Sequence, residues 1–447
     1  MNDERIDLYK QFERINYIDP SYYEKFRVKR GLRNADGTGV LAGMTNISNV
    51  HGYLLSDGDK LPDDGSLRLR GYEITDLLGE ESSTTRFSFE EVAYLLLLGE
   101  LPTRDQLDTF IAAIDAQREL PDGFTASMIL KDTPPDIMNV LARSILLLYA
   151  YDPNAEDRSP EHEINTAISL MSRVPRMMVL TYYAQQARYH NGSMIMHRFI
   201  PGQSTAETIL SMLRPNREFT PEEARMLDVM LCLHAEHGGG NNSTFTTRVM
   251  SSADTDPYSV YAAAICSLKG KKHGGANHQV RAMQADIKQH VSNWEDDDEV
   301  ADYLAKIVNK QAYDKSGLVY GMGHAVYTLS DPRAMICKKY AKKLAEGTEF
   351  EAEYRLLESI ERLAPEVILR ERGTKKDMCA NIDMYSGFVY SMMGIPEDLY
   401  TPLFACARMA GWAAHRFEEI VAGKRIIRPA YKSTRSGSRP YTPISER

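Results

Sequence analysis

The sequence predicts a mainly α fold, and three observations carry that expectation. Helix-start signals recur, with a capping side chain followed by proline at Thr220-Pro221, Asp256-Pro257, Asp331-Pro332 and Thr401-Pro402. Apolar residues return at helical spacing, as in Val280, Met283, Ile287 and Val291. Strand patterns are almost absent after residue 75, and no strand–helix alternation points to a parallel sheet or dinucleotide fold.

In order, residues 1–50 are polar and tyrosine-rich and read as an extension over a body. Residues 51–70 are turn-rich (Asp57-Gly58, Asp63-Asp64-Gly65), with room only for short strands. A leucine-rich helix follows with Ser88 as its N-cap, stopped by Gly99 and Pro102. Further helices are expected over 138–151, 161–190 with a kink at Pro175, and 206–214. The next starts at Thr220 in a capping box, and another runs from Asp256 to Gly270. After the acidic run 295–299, which suits a solvated turn and helix start, helices cover 331–347, 350–364, 384–393 and 401–423. The tail from 424 is basic and irregular. At 447 residues there is room for more than one domain, but no linker or repeat is visible, so a second domain must be an insertion sharing the core.

Charge and cysteine usage narrow the function classes. A net charge of −9 argues against general nucleic-acid binding, which needs a basic surface. Cys232, Cys266, Cys337, Cys379 and Cys406 are odd in number and widely spaced, unlike a disulfide framework or a cysteine zinc site. The first residues are polar and acidic, without a signal-peptide pattern, and the apolar runs 92–98 and 145–150 are far too short to span a bilayer. A reduced cytoplasmic protein with no membrane role is expected.

Three short segments hold residues suited to chemistry. His273 sits among glycines in Lys269-Gly270-Lys271-Lys272-His273-Gly274-Gly275-Ala276-Asn277, His324 in Gly321-Met322-Gly323-His324, and Asp383 in Asn381-Ile382-Asp383-Met384-Tyr385-Ser386-Gly387. Each has an ordinary alternative: a helix-end residue for His273, a loop histidine for His324, the N-cap of the next helix for Asp383. His234 shares a helical face with Leu227 and Leu231 and reads as a core histidine, whereas His237 runs into Gly238-Gly239-Gly240-Asn241 at a helix end. The His234/His237 spacing also suits a metal, although H-E-x-x-H is absent. Arg408 lies on a small and aromatic face with Phe404, Gly411, Trp412 and His415, so a buried guanidinium there needs a carboxylate, from the protein or from a substrate. Arg333, just inside a helix N-terminus, is placed for anions, and Arg428 precedes Pro429 on a rigid dipeptide. Histidines, one carboxylate and several arginines suit proton removal beside a carbonyl and capture of a small dicarboxylate. They do not suit a Ser or Cys nucleophile, for which no G-x-S-x-G elbow or base-flanked cysteine is present.

Together His234-Ala235-Glu236-His237 with Asn241, the His273 box, Gly321-Met322-Gly323-His324 with Asp331-Pro332-Arg333, and Asn381-Ile382-Asp383 resemble the citrate synthase family, in its order and at its separations. Arg70-Gly71-Tyr72 and the segment 89–102 add to the resemblance, which covers about residues 50–430. It implies an α-helical homodimer with an extension (1–50), a large domain (51–276), a small domain that closes over the substrates (277–386), and a return to the large domain with the tail (387–447). It further implies catalytic roles for His273, His324 and Asp383. His237, Asn241, Arg333, Arg408 and, from the partner subunit, Arg428 would bind oxaloacetate. Acetyl-CoA is the second substrate, and no metal or redox cofactor is implied. Gly238, Lys272, Ala325 and the proline-free segment 372–380 depart from common family residues without removing a catalytic group. Lys269, Lys271, Lys272, Lys338, Lys339, Lys375 and Lys376 are candidates for the CoA phosphates or plain surface charges. The rival activities are 2-methylcitrate synthesis from propionyl-CoA, metal-dependent hydrolysis through His234 and His237, and a catalytically silent scaffold.

Overall fold

The structure, a computed structural model, describes residues 10–446 apart from 13, 58, 80–85, 374–376 and 436. The chain divides into two compact units, residues 44–426 and a terminal unit of residues 1–43 with 427–447. In the terminal unit, helix α1 (Ser21–Lys25) places Tyr22 edge-on to Phe26 at 5.8 Å, and Lys432 from the C-terminal segment lies 5.4 Å over the Phe26 ring.

The larger unit opens with an antiparallel sheet in the order β1 (Ser48–Ser56), β2 (Asp59–Leu69), β3 (Tyr72–Glu73). The first two strands are nine and eleven residues long, so the hairpin is much more extensive than the turn-rich sequence suggests. Helices follow: α2 (Ile74–Leu77), α3 (Ser88–Leu98), α4 (Arg104–Ala116), α5 (Ile137–Leu148), α6 (Pro160–Tyr189), α7 (Thr205–Leu213), α8 (Pro221–Ala235), α9 (Asn242–Ser251) and α10 (Pro257–Leu268). The remainder are α11 (Ala276–His290), α12 (Asp297–Val308), α13 (Pro332–Ala345), α14 (Glu351–Arg372), α15 (Asp383–Met392) and α16 (Tyr400–Ala422).

The capping chemistry explains most of these boundaries. Thr220 and Glu223 form the expected capping box, and Asp256 and Asp331 cap helices with proline in the first turn. Ser88 is not the cap of α3. The carboxylate of Asp228, on α8, instead accepts from the Ser88 and Phe89 N–H groups at 3.0 and 3.1 Å. Helix α14 continues through Pro365 to Arg372 instead of stopping at Ala364, because Leu363, Ala364, Val367 and Ile368 are all buried on one side of it. That packing outweighs the backbone hydrogen bond a proline removes.

Helix α16 is the hub of the core. It packs against α3, α6, α8 and α9, and its small residues permit close approach: a Cβ on Gly411 would stand 2.4 Å from the Ala235 carbonyl oxygen. Arg416 on α16 meets Glu163 on α6 through two hydrogen bonds of 2.7 and 2.6 Å, both side chains buried. Breaking such a pair leaves a buried charge uncompensated, typically about 3–5 kcal/mol. Helix α15 packs on α11 and α13, which brings the Asp383 end of α15 toward the starts of both.

Candidate active site

The turn after α8 is built by a carboxylate. Buried Glu236 accepts from the Ser48 hydroxyl and from His415 Nε2, each at 2.8 Å, and from the Gly238 N–H at 2.5 Å. Burial alone would raise its pKa, but His415, Arg408 and Ser48 together pull it down to about 2. His237, held on this turn, reaches the Tyr327 hydroxyl with Nε2 at 3.2 Å. Asn241 caps α9. Its oxygen accepts from Thr244 N–H and Ser243 Oγ, and its NH2 group donates to the Gly238 carbonyl at 2.6 Å and Thr244 Oγ1 at 2.7 Å. Those bonds occupy its polar capacity within its own loop.

His273 lies in the turn between α10 and α11, where Thr401 Oγ1 donates to the Gly274 carbonyl at 3.1 Å. Its Nε2 accepts the backbone N–H of Ser243 at 3.3 Å and lies 2.9 Å from the Ser243 hydroxyl, which accepts from Trp412 Nε1. Accepting that backbone N–H corresponds to a ring proton on Nδ1, whereas a proton on Nε2 would be donated to the Ser243 hydroxyl. Burial, then Arg408, lowers its pKa to about 4, which keeps it neutral.

The His324 ring is held at its other nitrogen. Its Nδ1 accepts from the backbone N–H groups of Val326 and Tyr327 at 3.1 and 3.2 Å, so Nε2 carries the proton. The loop is pinned to the approach of α15: Gly323 N–H donates to the Cys379 carbonyl at 2.8 Å and Asn381 Nδ2 to the Gly323 carbonyl at 3.0 Å. Gly321, at φ +84°, lets that crossing lie against Met384 without a Cβ in the way.

Asp383 does not cap α15; it is the first helical residue, after Ile382, and its N–H bonds the Asn381 side chain at 3.0 Å. Burial is the main cause that raises its pKa to about 6, opposed by Arg333 and Asn277 and assisted by Asp331. Arg333 grips Asp331 through Nε at 3.1 Å and Nη2 at 2.7 Å. Arg408 is buried yet forms no ion pair among the described residues; its Nε donates to the His234 carbonyl at 2.6 Å, and the guanidinium lies 4.6 Å over Phe404. Burial pulls its pKa down to about 10.

These groups form one cluster. His237 and His324 rings are 5.0 Å apart, and after burial the groups that hold His237 neutral are Arg333, His324, Arg408 and His273. Arg333 acts in turn on Asp383. His234 faces away into the core, tilted on Phe404 at 4.5 Å, its pKa pushed by burial to about 3. Among the described residues no three His, Cys, Asp or Glu side chains gather as metal ligands. Arg428 belongs to the terminal unit, where it is exposed. Lys269 pairs with Asp136 and Lys338 with Glu361, at 2.7 and 2.8 Å; Lys271, Lys272 and Lys339 are exposed, and Lys375 and Lys376 lie outside the described residues. Ser243, Tyr327, Asn277 and Glu236 join the site without having been singled out. Of these, Glu236, next to His237, and Asn277, at the end of the His273 segment, stand where a motif could have drawn attention.

Two imidazoles with N–H donors, a carboxylate of raised pKa and buried guanidinium groups are the chemistry that proton transfer at an activated carbonyl requires. Residues 34–430 match the family described as citrate synthase, C-terminal domain. The chain is 34% identical to the citrate synthase of Haloferax volcanii over 428 residues, 94% of this chain and 99% of that one. It is 32% identical over 428 residues, with the same shares covered, to 2-methylcitrate synthase 1 of Corynebacterium glutamicum. The citrate synthase of Thermoplasma acidophilum, solved as a ternary complex with carboxymethyl coenzyme A and oxaloacetate, superposes with a TM-score of 0.74 at 25% identity, covering 94% of this chain and 99% of that one. The protein belongs to the citrate synthase family and is an enzyme that transfers an acyl group in a condensation.

Proposed function

We propose that this enzyme condenses acetyl-CoA with oxaloacetate and hydrolyses the resulting citryl-CoA to citrate and CoA. The decisive observation is that backbone N–H groups meet one nitrogen of each ring, Ser243 at His273 Nε2 and Val326 and Tyr327 at His324 Nδ1; in this reading His273 offers Nδ1–H and His324 offers Nε2–H. Asp383 takes a proton from the acetyl methyl while His273 donates to the thioester oxygen, stabilising the enol or enolate. The nucleophilic carbon then attacks the oxaloacetate ketone, whose oxygen is polarised and protonated from His324. His237, Arg333 and Arg408 hold the carboxylates, and Asn241, expected beside them as an oxaloacetate ligand, serves that binding through the turn that carries His237. Arg428 comes from the partner subunit of a homodimer. Residues 277–386 form the small domain, whose closure excludes bulk water before the thioester is hydrolysed. This scheme uses proton transfer and carbonyl polarisation, and asks for no metal or redox cofactor. The five free thiols suit a reduced cytoplasm.

The ligands of the Thermoplasma acidophilum complex support substrates of this class. Propionyl-CoA is the rival acyl donor, since one methylene in a pocket is worth only about 1–3 kcal/mol. Following free thiol release with each acyl-CoA and oxaloacetate decides it. Faster turnover of acetyl-CoA is expected, and a strong preference for propionyl-CoA would overturn the assignment.

A further inference from the structure

The β1–β2 hairpin has no part in the chemistry above, yet it presses on both histidine-bearing segments. Along β1, alternate residues make the contacts: the Ser48 hydroxyl donates to Glu236 Oε1 at 2.8 Å, and a Cβ on Gly238 would come within 3.0 Å of Val50 Cγ2. Further on, a Cβ on Gly52 would stand 2.7 Å from Tyr327 Cα. On β2, the Asp63 N–H donates to Thr328 Oγ1 at 3.1 Å and the Gly65 N–H to Ser330 Oγ at 2.9 Å; a Cβ on Gly65 would stand 2.0 Å from the Ser330 carbonyl oxygen. The Thr328 hydroxyl donates to the Gly52 carbonyl, so this buried side chain stitches both strands to the segment after His324.

We propose that the hairpin is the positioning element that sets His237 and His324 opposite each other, and that Thr328 is a positioning residue for the dicarboxylate end of the reaction. The two glycines allow backbone to meet backbone, a fit that any side chain would push apart. The stitched segment carries Tyr327, whose hydroxyl meets His237, and leads directly into Asp331 and Arg333. Its Val326 and Tyr327 N–H groups are those that fix the His324 tautomer. A loosened hairpin would therefore misplace His324 and its neighbours while leaving the His273 turn, held by Ser243 and Thr401, in place. Which substrate suffers rests on the proposed condensation; the mechanical coupling does not.

Thr328→Val removes the hydroxyl at nearly constant volume, and Thr328→Ser retains it. Loss of a buried hydrogen-bonding group that leaves its partners unsatisfied predicts, for Thr328→Val, a KM for oxaloacetate raised about tenfold with a fall in kcat, and a KM for acetyl-CoA within about twofold of wild type. Thr328→Ser should restore both. Without substrate, hydrogen exchange at the Val326 and Tyr327 amides should quicken about tenfold in Thr328→Val and return in Thr328→Ser. Unchanged exchange, or equal rises in both KM values, would overturn the proposal. If wild-type enzyme fails to condense these substrates, the functional assignment falls, and the exchange experiment alone decides the hairpin.

Discussion

The ring of His237 stands edge-on to that of His324, with centroids 5.0 Å apart and planes at 87°. A positive charge on either ring disfavours one on the other, and burial, Arg333 and His324 hold His237 far below the usual histidine range. Nδ1 of His324 accepts two backbone N–H groups, so its ring offers Nε2–H at a fixed angle, and the two residues divide the work. Removing an oxyanion-type donor typically costs about 10²–10³ in kcat. His324→Ala should fall in kcat by that order, whereas His237→Ala should act mainly on the KM for oxaloacetate. Steady-state kinetics with both substrates checks this; an intact kcat in His324→Ala would remove that histidine from the chemistry.

Asp383 carries a second prediction, because a base raised from 3.8 to about 6 leaves a signature in both rate and stability. The rate should fall on the acid side as pH drops through about 6. Stability runs the other way. Between the two pKa values the folded protein binds more protons than the unfolded chain, so stability falls as pH rises through that window, and the cost is complete above about pH 6. A shift of this size is worth on the order of 2–3 kcal/mol. Asp383→Asn should therefore lose condensation yet melt higher than wild type at pH 7.5, with the gap closing toward pH 4. A Tm difference independent of pH would show that the carboxylate is not held in a desolvated state.

Part of this site was legible in the sequence because its signals are local. Asp331-Pro332 set Arg333 at a helix start, and glycines lie on both sides of His273 and just before His324. The Phe404–His415 face foretold a buried Arg408, and the Leu227–Leu231–His234 stripe foretold a core histidine; both side chains are 1% exposed. The rest depends on contacts between distant residues. Asp228 caps α3 from α8, so a plausible cap at Ser88 misled. Ser243 holds the His273 ring through its backbone N–H, which no side-chain pattern records. Gly65 looks like a turn residue in the sequence, but its lack of a Cβ serves a contact with Ser330, as that of Gly52 serves one with Tyr327. Pro365 shows the converse: the buried residues before and after it in sequence carried α14 through a residue that normally ends a helix.

His234 bears on metal dependence. Its ring lies tilted against Phe404 in the core, whereas Nε2 of His237 is engaged by Tyr327, so the two imidazoles do not present a shared ligand pair. Prolonged dialysis against a chelator should leave turnover unchanged, and His234→Gln should lower Tm more than it lowers kcat. Recovery of activity only on adding zinc would reverse this assignment.

Arg333 and Arg408 make the last contrast. Both are buried, but Asp331 compensates Arg333 and keeps its pKa raised against the cost of burial. Arg408 has the more distant Glu236 on its side, while burial and Arg333 lower its pKa to about 10. The uncompensated guanidinium is therefore the group that gains most from a bound carboxylate. Oxaloacetate at about a hundred times its Kd should add about 2.7 kcal/mol to stability by linkage and raise Tm by a few degrees. Arg408→Met should keep much of the unliganded Tm, because it removes a poorly paired charge, and should lose the oxaloacetate-induced rise. Arg333→Met should instead lower the unliganded Tm sharply, since it strands Asp331 at a cost of about 3–5 kcal/mol. Thermal melts of the three proteins with and without oxaloacetate separate the two roles, and an undiminished ligand shift in Arg408→Met would mean that the charge is balanced within the protein.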